Sequence, residues 1–97
     1  MSTSTADVLA TDIATTEDNL TVRLADGRTI TVPLEWFPRL AFATAAERKN
    51  WRLIGKGEGI HWPELDEDIN THDLLLGRRS AESQSSFELW LQKRRPA

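Results

Sequence analysis

The sequence predicts a single α+β domain, in which a small antiparallel sheet of about five strands, two hairpins plus an N-terminal strand, packs against short helices. Three observations predict it. Apolar and polar residues alternate on either side of Asp26-Gly27, and a Thr44-Ala45-Ala46-Glu47 capping box opens a helix between two strand-like stretches. The segment from Gly57 to Gly77 then runs from a glycine-rich turn through Trp62-Pro63 and an acidic stretch to Leu74-Leu75-Leu76, closed by glycine.

Residues 1–6 are small and polar and read as a frayed terminus. Val8, Leu9, Ala10 and Ile13 mark a first strand over Asp7 to Thr15, ended by the turn Thr16-Glu17-Asp18-Asn19. Leu20, Val22 and Leu24 alternate with Thr21 and Arg23, as Ile30 and Val32 do with Thr29 and Thr31, so two half-buried strands follow. A two-residue turn at Asp26-Gly27 would put their apolar rows on opposite faces. A three-residue loop, Ala25-Asp26-Gly27 with Gly27 left-handed, instead sets Val22 opposite Ile30 and Leu20 opposite Val32. Pro33 cannot donate to a ladder and ends the strand.

Leu34 to Phe42 is rich in large apolar residues, with Trp36, Phe37 and Leu40 at helical spacing and Pro38 tolerable only in a first turn, which predicts a short irregular helix. The capping box at Thr44 starts another, to about Asn50. Trp51 to Ile54 and Ile60 to Trp62 read as a second hairpin around Gly57, with Ile60 and Trp62 on one side and Pro63 stopping it. The acidic run is expected to cross the surface, and Asn70 or Thr71 to cap a helix from His72 to Leu76 with Gly77 as its C-cap. The domain is expected to span residues 7–77, followed over 78–97 by a basic linker and a short amphipathic helix. Ser85-x-x-Glu88 is a second capping box, placing Phe87, Trp90 and Leu91 on one helical face. A helix of about eight residues does not persist alone. It has to dock on the same domain, a second copy or another protein.

At 97 residues the chain forms one domain, since a chain this size buries roughly 60–65% of its unfolded surface and cannot be divided without losing its core. Four Trp and three Phe supply that core, while 28% charged residues argue against a wholly disordered chain. The absence of cysteine excludes disulfides, thiolate zinc sites and thiol nucleophiles. Neither a secretory signal nor a stretch near the ~18 apolar residues of a membrane span is visible, so a cytoplasmic location is expected.

Charge is segregated more than the net −3 suggests. Residues 1–56 balance seven acids with seven bases; residues 57–77 hold six acids (Glu58, Glu64, Asp66, Glu67, Asp68 and Asp73) and no base; residues 78–97 hold five bases and two acids. The uncompensated acidic stretch suits a basic partner. The alternative is local: Asp66 and Asp68 cap nearby N–H groups and pair with Arg48, Arg52 or Lys56.

His61 and His72 beside Glu64, Asp66, Glu67 and Asp68 offer ligand types that suit zinc or manganese, but their spacing matches no established motif, and no metal or cofactor is expected. Adjacent carboxylates in an exposed run lack the burial that acid–base catalysis needs. Gly55-x-Gly57-x-Gly59 lacks the spacing and following helix of a phosphate cradle and reads as a turn. No catalytic residue is assigned. Arg78, Arg79, Lys93, Arg94 and Arg95 are phosphate-binding types, yet without a helix-turn-helix pattern direct DNA binding is not expected.

Trp51-Arg52-Leu53, the run Gly59-Ile60-His61-Trp62-Pro63-Glu64-Leu65-Asp66-Glu67-Asp68-Ile69 and Leu74-Leu75-Leu76-Gly77 resemble a bacterial family of small domains of unknown function, DUF2442, over about Val8 to Gly77. Members of that family are often encoded beside a small toxin, and some carry a C-terminal helix-turn-helix. The resemblance therefore implies an antitoxin-like or regulatory binding protein. The twenty residues after Gly77 cannot form a helix-turn-helix, which weakens a direct transcriptional role.

The function expected is non-catalytic protein binding, as the neutralising partner of a small basic toxin. Glu64, Asp66, Glu67 and Asp68 would make the charged contact, and Phe87, Trp90 and Leu91 the apolar anchor. The rival readings are a small metal-dependent or catalytic module centred on His61 and an accessory domain of a transcriptional regulator. Self-association of two copies through Trp90 is a further outcome.

Overall fold

The structure, a computed structural model, describes residues 8–94. The frayed terminus expected over residues 1–6 and the basic residue Arg95 lie outside the described residues. The elements, in order, are β1 (Ala10–Thr15), β2 (Asn19–Leu24), β3 (Thr29–Pro33), a 3-10 turn (Leu34–Trp36), α1 (Pro38–Ala41), α2 (Ala45–Lys49), β4 (Arg52–Ile54), β5 (Gly59–Trp62), β6 (Glu67–Asn70), α3 (Thr71–Leu75) and α4 (Gln84–Arg94).

The α+β class is as expected, but among the described residues the strands form two three-stranded antiparallel sheets, β1-β2-β3 and β4-β5-β6, in place of one sheet of five. The two hairpins fall into separate sheets, and the sixth strand comes from the acidic run. Glu67 to Asn70 does not simply cross the surface; it pairs with β5, setting Ile69 against Ile60 and Glu67 against Trp62.

The first hairpin has the expected register, with Val22 opposite Ile30 and Leu20 opposite Val32. Gly27 sits at φ 93°, the left-handed conformation that the three-residue loop demands. In β1 the register against β2 shifts between Ala10 and Asp12, a bulge that lets Ala10 and Ile13 face the core although three positions apart.

Prolines account for the irregular stretch that follows. Pro33 precedes the 3-10 turn, and Pro38 occupies the first position of α1, where no N–H is needed. Thr44 and Glu47 close the capping box reciprocally, Thr44 Oγ1 accepting from Glu47 N–H at 3.1 Å and Glu47 Oε1 from Thr44 N–H at 2.8 Å. Asn70 caps α3 by accepting from Asp73 N–H at 2.9 Å. Gly77 N–H donates to Leu74 O and Arg78 N–H to Asp73 O, the bonding pattern of a Schellman motif.

The core lies between the inner faces of the two sheets and under the 3-10 turn and α1. Leu20, Val22 and Leu24 of the first sheet, Ile60, Trp62 and Ile69 of the second, and Leu34, Leu40, Leu65 and Leu74 are almost wholly buried. Each such side chain stabilises the fold by about 1.5–3 kcal/mol. Trp62 is fully enclosed, and its indole N–H donates to Arg48 O at 3.0 Å, so its burial strands no donor.

Candidate functional site

A cleft of ≈ 560 Å³ opens beside β6, walled by residues 66–70 on one side and 78–82 on the other, with Phe37 and Leu74 among its apolar lining. Arg39 of α1 organises it. Its guanidinium forms a forked pair with Glu82 and also donates from Nη1 to Leu65 O at 3.0 Å and Asp66 O at 3.3 Å. One cation thus ties the irregular 78–82 segment to the turn before β6. Planar Arg can satisfy a carboxylate and two carbonyls at once; Lys cannot.

The acidic residues singled out from the sequence divide between separate settings. Glu64 accepts from Asn50 Nδ2 at 2.8 Å, on the far side of the turn. Asp66, at φ 50° and exposed, gives its carbonyl to Arg39, and among the described residues its carboxylate makes no ion pair. Asp68 is bonded to His61 Nδ1 across β5 and β6. Asp66, Glu67 and Asp68 line the cleft together; Glu64 does not.

Glu67 differs from its neighbours because of strand parity. Leu65, Glu67 and Ile69 alternate onto the core side, where Glu67 stands in the row of Trp62. Burial there pushes its carboxyl up to about 7; the nearby Arg39 acts against that rise, Glu82 adds to it, and Asp68 works both ways, its backbone N–H lowering the carboxyl and its charge raising it. Arg39 cannot fully offset the burial because it is already committed to Glu82.

The basic tail docks on its own domain. Helix α4 runs for eleven residues and begins two residues earlier than the Ser85 capping box implied, with Ser83 Oγ accepting from Ser86 N–H at 3.1 Å. Phe87 is buried against Phe42, ring centroids 5.4 Å apart, and stacks on Trp90 at 5.8 Å. Two guanidinium groups lie over the Trp90 ring, Arg39 at 5.3 Å and Arg94 at 4.5 Å from its centroid, while Leu91 is half-buried. Arg94 closes the far end with a two-pronged pair to Glu47 at 2.7 and 2.9 Å.

Arg48, offered above as a partner for the acids, instead donates to Leu40 O and Ala41 O, at 2.8 and 3.0 Å. Arg52, His61 and Asp68 form one cross-strand row on the outer face of the second sheet. His72 is exposed on α3. Among the described residues no group of three or more His, Cys, Asp or Glu is gathered as a metal would require, and no helix is long and apolar enough to cross a membrane.

The sequence profile described as protein of unknown function (DUF2442) matches residues 10–80. The chain belongs to the DUF2442 family. No curated protein matches it. Among solved structures, the crystal structure of a protein of unknown function from Rhodospirillum rubrum is similar with a TM-score of 0.66 and 23% identity, over 78% of this chain and 94% of that one. The solution structure of an uncharacterized protein from Chromobacterium violaceum has a TM-score of 0.65 and 21% identity, over 75% of this chain and 69% of that one. At such identities the likeness speaks for the fold.

The DUF2442 match runs from β1 through Ser80, whose N–H donates to Trp36 O at 3.0 Å, and so takes in most of the cleft; α4 lies beyond it. Sequence reasoning missed two of the residues that shape this DUF2442 site. Arg39 and Glu82 meet across forty-three positions, with no local pattern to announce them. Glu67 did leave a signal: the period-two series Leu65, Glu67, Ile69 marks it as the one acid aimed inward.

Proposed function

We propose that this DUF2442 chain is a non-catalytic protein-binding module whose acidic cleft takes a basic segment of a small partner protein, a toxin in the antitoxin-like role that the family resemblance implies. The observation that carries the reading is the arrangement of Asp66, Glu67 and Asp68 along one wall of an open cleft whose central cation, Arg39, is already engaged by Glu82. Arg78 and Arg79 line the cleft too, but Arg78 is paired with Asp73 and Arg79 lies over Trp36, and the carboxylates outnumber the arginines, which favours encounter with a basic surface. Glu64 stands outside the cleft as an outlying part of the same acidic surface. In this reading Phe87 serves the chain's own packing, and Trp90 and Leu91 contribute half-buried apolar surface beside it.

The test is co-purification of the full chain from its native host, alongside an Asp66→Lys/Asp68→Lys variant. A small basic protein should accompany the natural chain and be lost from the variant. Equal recovery with both, or none with either, would count against the reading.

One observation favours the rival centred on His61. Asp68 holds His61 Nδ1, an arrangement that orients the opposite ring nitrogen for binding or proton transfer. Calorimetric titration with zinc and manganese decides it: saturation near one equivalent, lost in His61→Ala, would favour the rival.

A further inference from the structure

We infer that the outer edge of β6 accepts an extended, lysine- or arginine-bearing segment of the partner as an added strand, a binding mode that rests on the protein-binding reading above. In the order β4-β5-β6, β6 is terminal, and among the described residues no strand pairs with its other side. The cleft lies along that side. Five consecutive residues, 66–70, line it, and consecutive residues alternate between the faces of a sheet, so the cleft meets β6 edge-on.

Parity fixes which main-chain groups are offered. Thr71 N–H donates to Glu58 O at 2.9 Å, continuing the ladder in which Ile69 and Glu67 are directed at β5. The N–H and C=O of Asp68 are therefore turned outward into the cleft, where an incoming strand could pair with both. A free edge of this kind is a template for strand addition.

The chemistry of the occupant follows from the walls. Phe37 and Leu74 form its buried apolar floor, and although Arg39, Arg78 and Arg79 also line it, carboxylates outnumber them, with Asp66, Glu67 and Asp68 on both faces of the edge the segment would pair with. An extended segment alternating basic and small apolar residues answers both, main-chain bonds holding it and side chains selecting it.

Two synthetic peptides test this by amide chemical-shift titration of the full chain. One is an acetylated, amidated hexapeptide alternating Lys and Val. The other is its fully backbone-N-methylated counterpart, which keeps the side chains and charge but cannot donate a main-chain hydrogen bond. Saturable shifts at Glu67 to Asn70, with binding weakened about tenfold or more by methylation, are expected, the effect of two or three lost hydrogen bonds. Equal affinity for both peptides would overturn strand addition and leave docking by charge standing. Shifts centred elsewhere, or no saturable shift with either peptide, would overturn it too. Co-purification remains the separate test of the parent reading, because it registers partner capture whatever the binding mode.

Discussion

Gly57 lies so close to Ala10 that no side chain fits between them. Its carbonyl accepts from Ala10 N–H at 2.8 Å, and a Cβ built on it would stand 2.1 Å from Ala10 O. The same carbonyl accepts from the buried Thr71 hydroxyl at 2.8 Å, so this one turn joins β1, the β4–β5 hairpin and the start of α3. The two sheets are held together here by backbone contact that tolerates only hydrogen.

Gly57→Ala is therefore expected to cost about 3 kcal/mol or more, through both the clash and a φ of 109°. Gly27→Ala is the control, since Gly27 is also left-handed but has nothing within 4 Å of its would-be Cβ. That change should cost only about 1 kcal/mol. Urea midpoints compared between the two variants check this, and equal losses would show that contact with Ala10 does not govern Gly57.

Arg39 is the next point of leverage. Arg39→Ala releases Glu82, the Leu65 and Asp66 carbonyls and the face of Trp90 together, for an expected loss of about 2–4 kcal/mol. Arg39→Lys keeps the charge but not the fork, and should recover less than half of that loss. Urea unfolding followed by tryptophan fluorescence reads both changes. Full recovery by Lys would mean that charge alone, without geometry, holds the cleft together.

Docking of α4 is directional, and two substitutions on the helix separate its faces. Phe87 is buried against Phe42, whereas Leu89 is 55% exposed on the other side. Phe87→Ala should cost about 2 kcal/mol and speed amide exchange through α4. Leu89→Ala should stay within about 0.5 kcal/mol. If both variants exchange like the natural chain, the helix is not held by its apolar face.

Much of this was legible locally. The β2–β3 register followed from which loop length keeps Val22 and Ile30 on one face, and the Thr44 and Asn70 caps followed from residue type alone. The strand β6 was hidden, because Glu67, Asp68 and Asn70 are poor strand formers and pair only because Ile69 has Ile60 to cover. Arg39 with Glu82 was out of reach for a different reason: the pair exists only once the fold brings α1 beside the chain after α3. Local chemistry foretold turns and caps, while the cleft arises from long-range closure.

The pH dependence of stability brings these contacts together, with opposite signs at its two ends. Glu67 has its carboxyl raised to about 7 by burial, above the ordinary 4.5, so the native state favours the protonated acid. Its contribution is fully present below about pH 4.5 and is lost as pH rises through about 7. After allowance for partial exposure to solvent, the loss is on the order of 1–2 kcal/mol. Glu47 runs the other way: its bond to Arg94, above all, holds its carboxyl down at about 2, so that contribution is present above about pH 4.5 and disappears as pH falls through about 2. The chain should thus be less stable at about pH 8 than at about pH 5, with a separate acid loss below about pH 4. Glu67→Gln should flatten the slope between about pH 5 and 8 and stabilise the chain at the alkaline end, leaving the acid limb in place. Arg94→Ala should do the converse, shrinking the acid limb alone. Urea midpoints across this range decide it, and a slope unchanged in Glu67→Gln would place the neutral-range titration on some other group.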